Sequence, residues 1–210
     1  MKNKIFLIIS ILNTLIFLPL IGSMKDVPIP LHFGINGKPD SFGNKWLLII
    51  FPIMAVIFSL CTYIYRKKLG DTPNLKAENG FFSAFTMLTI GLGYAAYLES
   101  IGGGSISGRF VSYYIILGLG LLIIYMGALM KNLKQNRFLG IKTKYTLNSK
   151  EVWNKTHALG SKTGIAGGIL LIASGIVAFT LDMLVIAFIG LILAIILSAF
   201  VPMIYSKKIS

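Results

Sequence analysis

Apolar residues fill six stretches of the chain, 5–22, 46–65, 81–98, 110–130, 163–181 and 183–205, and no charged side chain interrupts any of them. A hydrocarbon layer of about 30 Å takes roughly 20 residues rising about 1.5 Å each, so every stretch is long enough to cross a bilayer as a helix. None shows the strict alternation of a barrel strand. A backbone facing lipid must also satisfy its own hydrogen bonds, so helix is the predicted conformation throughout. The expected fold class is all-α, an integral membrane bundle of six transmembrane helices.

The first stretch follows Lys2 and Lys4 as a secretory signal would, but it is long for a signal core and no A-x-A pattern closes it; it is read as a retained span. Only Asp182 and its neighbours separate the last two stretches. Together these are far too long for one span, and Thr180, Leu181 and Asp182 are expected to form a tight outer turn.

Composition agrees with this pattern: 55% of residues are hydrophobic and 13% charged, whereas soluble domains carry roughly 25% charged residues. Charge then supplies orientation. Of 20 basic residues, sixteen fall on one side of the spans: Lys2, Lys4, Arg66, Lys67, Lys68, Lys76, Lys131, Lys134, Arg137, Lys142, Lys144, Lys150, Lys155, Lys162, Lys207 and Lys208. Lys25, Lys38, Lys45 and Arg109 lie on the other. The positive-inside rule puts the larger group, and with it both termini, in the cytoplasm. The net charge of +13 is explained by topology and anionic lipid, and calls for no nucleic-acid partner. Cys61 is the one cysteine, so no intramolecular disulfide can form. Two modules are expected: 1–80, two helices with an ordered outer loop at 23–45, and 81–210, four helices with an inner loop at 131–162.

In the outer loop, Pro28 and Pro30 fix φ and push the residues before them toward extended geometry, so 27–33 is predicted strand-like or polyproline-like. Asn36-Gly37 is a tight-turn dipeptide and Pro39-Asp40 a second turn signal. Two readings of His32 and Phe33 stand side by side: they pack the loop onto the helix ends, or they meet a ligand at the outer surface. A metal site at His32 is not expected, because no second His or Cys lies on that side.

In the inner loop, Asn148 and Glu151 have the spacing of a capping box, which predicts a short helix starting there. Trp153 and His157, four apart, share one face of it with Val152 and Thr156 beside them. A tryptophan at this depth is expected to anchor the helix in the membrane interface. Glu151 and His157, six apart, do not share a face and make a poor acid/base pair. Glycines at 160, 164 and 168, and Gly91 with Ala95, follow the four-residue period of close helix crossings.

No H-E-x-x-H, G-x-S-x-G or pair of intramembrane aspartates is present, so an enzyme is not expected, nor is a cofactor or metal. The spans hold no ionisable residue for a proton relay, which disfavours an ion-coupled pump. A small passive transporter or exporter of a peptide or other solute stays open as the alternative.

The segment N-R-F-L-G-I-K-T-K-Y-T-L-N-S-K-E-V-W-N-K-T-H, 136–157, resembles the signature of the SdpI family of bacterial immunity proteins. The segment V-P-I-P-L-H-F-G-I-N-G-K-P-D, 27–40, resembles the I-P-x-H-F module that commonly precedes it. The resemblance implies a multispan plasma-membrane protein that protects a bacterium against a secreted antimicrobial peptide toxin bound on the outer face. It also implies signalling, by holding a cytoplasmic transcriptional repressor at the membrane. The outer motif positions it assigns to toxin binding are Pro30, His32, Phe33, Gly37 and Asp40. Those it assigns to the regulator are Asn136, Gly140, Lys142, Thr143, Thr146, Trp153 and His157, with Ile141 and Leu147 also matching. Lys142 stands where the family commonly has Arg, Lys144 where Pro is frequent and Tyr145 where Trp is frequent; a Lys lacks the planar fork of Arg, so a bidentate contact there would be altered.

Overall fold

The computed structural model describes residues 2–26, 28–34, 39–70, 72–102 and 109–210. Its elements are α1 (Lys2–Ser23), β1 (Ile29–Phe33), β2 (Pro39–Gly43), a 3-10 turn (Lys45–Ile49) leading into α2 (Ile50–Leu69), α3 (Leu75–Ile101), α4 (Arg109–Met130), α5 (Lys144–Asn148), α6 (Lys150–Leu181), α7 (Leu184–Ile195), a π turn (Ile196–Phe200) and α8 (Val201–Lys208). Among the described residues, six helices are long and apolar enough to cross a membrane, matching the six stretches. The protein is a multi-pass helical membrane protein. The fifth span differs from expectation. The helix predicted to start at Asn148 is not a separate short one but the beginning of α6, which runs without a break to Leu181.

The chain divides into two compact units, one made of 1–72 and 79–115, the other of 73–78 and 116–210. In the first unit, Phe17 and Ile21 from α1 and Met24 just after it close a small core with Ile29 of β1 and Leu48 of the 3-10 turn. Phe17 meets Tyr94 and Tyr97 edge-on, with ring centroids 5.0 and 6.1 Å apart, the geometry that aromatic quadrupoles favour. Gly91 leaves room for Tyr114, whose hydroxyl donates to the Leu88 carbonyl at 3.1 Å.

In the second unit, the glycine period of α6 does what its spacing predicts. A Cβ on Gly164 would stand 3.3 Å from the Gly127 Cα of α4, and one on Gly168 only 2.6 Å from the Gly120 carbonyl oxygen. The two backbones therefore touch, which is how helices gain packing where lipid offers no hydrophobic drive. Between α6 and α7 the turn is made at Asp182, which takes φ 55° and caps α6 by donating its N–H to the Ala178 carbonyl. A short polar side chain tolerates this left-handed geometry better than most, so the expected two separate spans form. In the last span, Pro202 sits in the first turn of α8 directly after the π turn. Its ring would clash with the carbonyl four residues back, and the wider turn relieves that clash.

Candidate functional site at the hairpin and at the inner cap

Strands β1 and β2 pair antiparallel with Ile29 opposite Gly43 and Phe33 opposite Pro39, and the register slips on both sides of His32. The extended geometry expected of 27–33 is therefore present at 29–33; Val27, Asn36 and Gly37, with the turn expected there, lie outside the described residues. Ile29 anchors β1 in the core. Lys45 holds the other end of the loop, its ammonium donating to the Met24 carbonyl at 2.7 Å.

Beside this hairpin lies an apolar cavity of about 660 Å³, within the size range of ligand pockets. Pro30, His32 and Phe33 line one wall, and Trp46, Ile50 and Ile115 contribute to the rest. At its rim His32 Nδ1 lies 2.5 Å from Asp40 Oδ1, and both side chains are more than half exposed, at 69% and 53%. The hairpin thus brings four of the five outer motif residues together, and keeps them reachable.

The segment 131–157 is built differently. Asn136 folds the loop onto itself: its amide donates to the carbonyls of Lys134 and Leu139 at 2.8 and 3.0 Å and accepts from the N–H groups of Phe138 and Leu139 at 2.8 and 2.7 Å. Gly140 takes φ 115°, where an L side chain is strained, and a Cβ there would run into His157 Nε2. Lys142 ties back to the Phe138 carbonyl at 2.9 Å. Thr143 and Thr146 make a reciprocal capping box at the start of α5, and the Thr146 hydroxyl donates to the Ile141 carbonyl at 2.8 Å.

His157 locks this loop to α6. Its Nδ1 lies 2.8 Å from the Trp153 carbonyl, and its Nε2 accepts from the Ile141 N–H at 3.0 Å. One nitrogen must carry a proton and the other a lone pair, so the contacts define the neutral Nδ1–H tautomer. Trp153 stacks on His157 with centroids 3.9 Å apart and donates its indole N–H to the Leu133 carbonyl at 2.7 Å. Trp153 is 0% and His157 1% exposed. The expected interfacial anchor is therefore a core residue: a tryptophan whose N–H has a protein carbonyl gains nothing from the headgroup layer. Val152 and Thr156 are buried beside it, as the shared face requires. Glu151 points elsewhere and pairs with Lys155 at 2.6 Å.

The cap of α6 also departs from expectation. Ser149, not Asn148, is its N-cap and accepts from the Val152 N–H, while Asn148 closes α5. The end of α5 and the start of α6 compete for the same few residues, and Ser149 takes the second cap.

Residues 132–206 match the SdpI/YfhL protein family. That region takes in α5, α6, α7 and nearly all of α8, so the locked loop of Asn136 to His157 is its opening feature. Residues 5–56 match a domain of unknown function (DUF1648) that covers α1, the hairpin and the start of α2. Over its whole length the chain is 26% identical to "Immunity protein SdpI" of Bacillus subtilis (strain 168), with 100% of this chain and 98% of the relative aligned over 219 positions. No solved structure matches the chain.

Three further residues complete the cap without belonging to the motif as read from sequence. Asn74 pairs with the Lys134 backbone in both directions, at 2.9 and 2.8 Å. Gln135 donates to the carbonyls of Thr146 and Leu147 at 2.7 and 3.1 Å. Ser206 in α8 meets the Thr143 hydroxyl at 3.0 Å. No local signal marks these three, whose partners lie 60, 11 and 12, and 63 positions away.

Proposed function

We propose that this protein is a membrane immunity protein that protects a bacterium against a secreted antimicrobial peptide, which it binds at the hairpin end. The observation that carries the reading is the apolar cavity of about 660 Å³ walled by Pro30, His32 and Phe33. An amphipathic peptide reaches the bilayer by laying its apolar face into the interface. A cavity beside helix ends, rimmed by the exposed His32 and Asp40 pair, competes for that same face. The relative named an immunity protein aligns across this region too. In this reading the hairpin faces outward, the 131–162 segment and both termini face the cytoplasm, and Gly37 belongs to the toxin-binding loop. The reading is non-enzymatic, since binding alone accounts for protection.

The same reading gives the 131–162 segment a signalling role, in which it holds a cytoplasmic repressor at the membrane. Because Trp153, His157 and Thr146 are buried, they would act by shaping the cap, and Lys142 and its exposed neighbours would make the contact. Peptide binding shifts such an equilibrium only through different affinity for two arrangements.

The test is growth. A sensitive bacterium expressing the chain is challenged with culture fluid from the source strain and its relatives, beside a Phe33→Ala variant shown to reach the membrane. Protection by the parent chain that is lost in Phe33→Ala is the expected result. Absence of protection against every fluid overturns the reading and shifts weight to a passive transporter.

A further inference from the structure

The length of α6 sorts the basic residues of the second unit by depth. The helix has 32 residues, roughly 48 Å at about 1.5 Å per residue, against about 30 Å of hydrocarbon. Its uncharged part, 163–181, spans roughly 28 Å by the same rise and fills that layer. An average tilt of about 20° shortens the helix by only about 6%. The excess lies at the N-terminal end. The other end closes at once on the turn at Asp182, flanked by the exposed apolar Leu181 and Met183, whereas 150–162 carries Lys150, Glu151, Lys155 and Lys162. The first turns of α6 therefore stand roughly 15–20 Å beyond the hydrocarbon, past a headgroup layer about 5–8 Å deep on each side.

Lys131 follows the last residue of α4 and Lys162 bounds the uncharged part of α6. These two sit at headgroup depth. Lys144, Lys150 and Lys155 stand clear of it. Between α5, the first turns of α6 and the residues after α8 is an open cleft of about 540 Å³, lined by Lys144, Tyr145, Glu151, Val152, Lys155 and Ile209 among others. Across 131–162 there are eight basic residues and one acidic residue, Glu151, which Lys155 already engages.

We infer that this tip of the cap docks an acidic segment of a water-soluble protein in the cleft. Lipid headgroups answer the same charge but lie too deep to reach it. Charge complementarity fixes the sign of the partner, and Tyr145 and Val152 offer apolar contact between the two lysines. The inference rests on the reading of 131–162 as the regulator-facing segment, and gives that regulator a chemical class.

The experiment uses the full chain in nanodiscs of uncharged phosphatidylcholine and a fluorescein-labelled peptide alternating Glu with Leu and Phe, beside its Gln counterpart. Fluorescence anisotropy is expected to show saturable binding about tenfold tighter for the Glu peptide, and weaker at high salt. The double variant Lys144→Ala, Lys155→Ala is expected to weaken it about tenfold, while Lys131→Ala, Lys162→Ala leaves it within about twofold. Equal thermal melting of both variants and the parent accompanies the comparison. Absence of saturable binding, equal loss in the two double variants, or displacement of the peptide by nanodiscs enriched in phosphatidylglycerol overturns the inference. Protection in the growth test depends on the hairpin end, so failure here leaves the immunity reading standing.

Discussion

The hairpin end and the inner cap both gather residues of a sequence motif, yet they use them in opposite ways. At the hairpin, His32 and Asp40 face solvent beside a cavity, while Ile29 and Lys45 hold the loop in place. In the cap, Asn136, Gly140, Thr143, Thr146, Trp153 and His157 spend their polar atoms on one another and on nearby backbone. In the proposed reading, a motif in the first setting describes a contact surface. In the second it describes what holds the fold together, and the surface proposed to meet a partner is made by neighbours such as Lys144 and Lys155 that the motif does not require.

If that contrast holds, substitutions at the two places separate stability from function. The largest effect belongs to Trp153→Ala, which empties a fully buried site and removes the donor to Leu133. A loss of about 3–5 kcal/mol is expected, read as a fall in melting temperature of the purified protein in a fixed detergent; an unchanged melt would break the comparison. Next comes Thr146→Val, nearly the same shape without the hydroxyl that serves Ile141 and Thr143. With those backbone groups left unpaired, about 1–3 kcal/mol should be lost in the same melt. Smallest is His32→Ala, where an exposed pair with Asp40 is removed. Stability should stay within about 0.5 kcal/mol, and a sizeable drop in the melt would show that the hairpin, too, is held together by its motif.

The sequence made the spans legible because hydrocarbon thickness imposes one length on every helix, and the glycine period of α6 pointed to the α4 crossing for an equally simple reason of space. The extended course of β1 followed from Pro28 and Pro30. The cap was harder. Asn148 and Ser149 are both good capping residues, and which one starts α6 depends on where α5 stops, which in turn depends on the Thr143 and Thr146 pair. Trp153 read as an anchor because depth alone was considered; its burial is decided by Leu133 and His157, and the first of these is 20 positions away. Asn74 could not be found at all, since its partner Lys134 lies 60 positions on and nothing local marks the pair. Period and turn chemistry are properties of neighbours in the chain, whereas this loop is closed by residues that are not.

The bond between Thr143 and Ser206 has a bearing on how the protein is made. Ser206 lies in α8, at the end of the last span, 63 positions after the threonine it meets. During synthesis the loop emerges well before that span exists, and α6 must then be inserted and turned at Asp182 before α8 can return to it. The cap is consequently finished last although its residues are made in mid-chain. Its completed form marks a molecule whose final two spans have both been delivered to the bilayer.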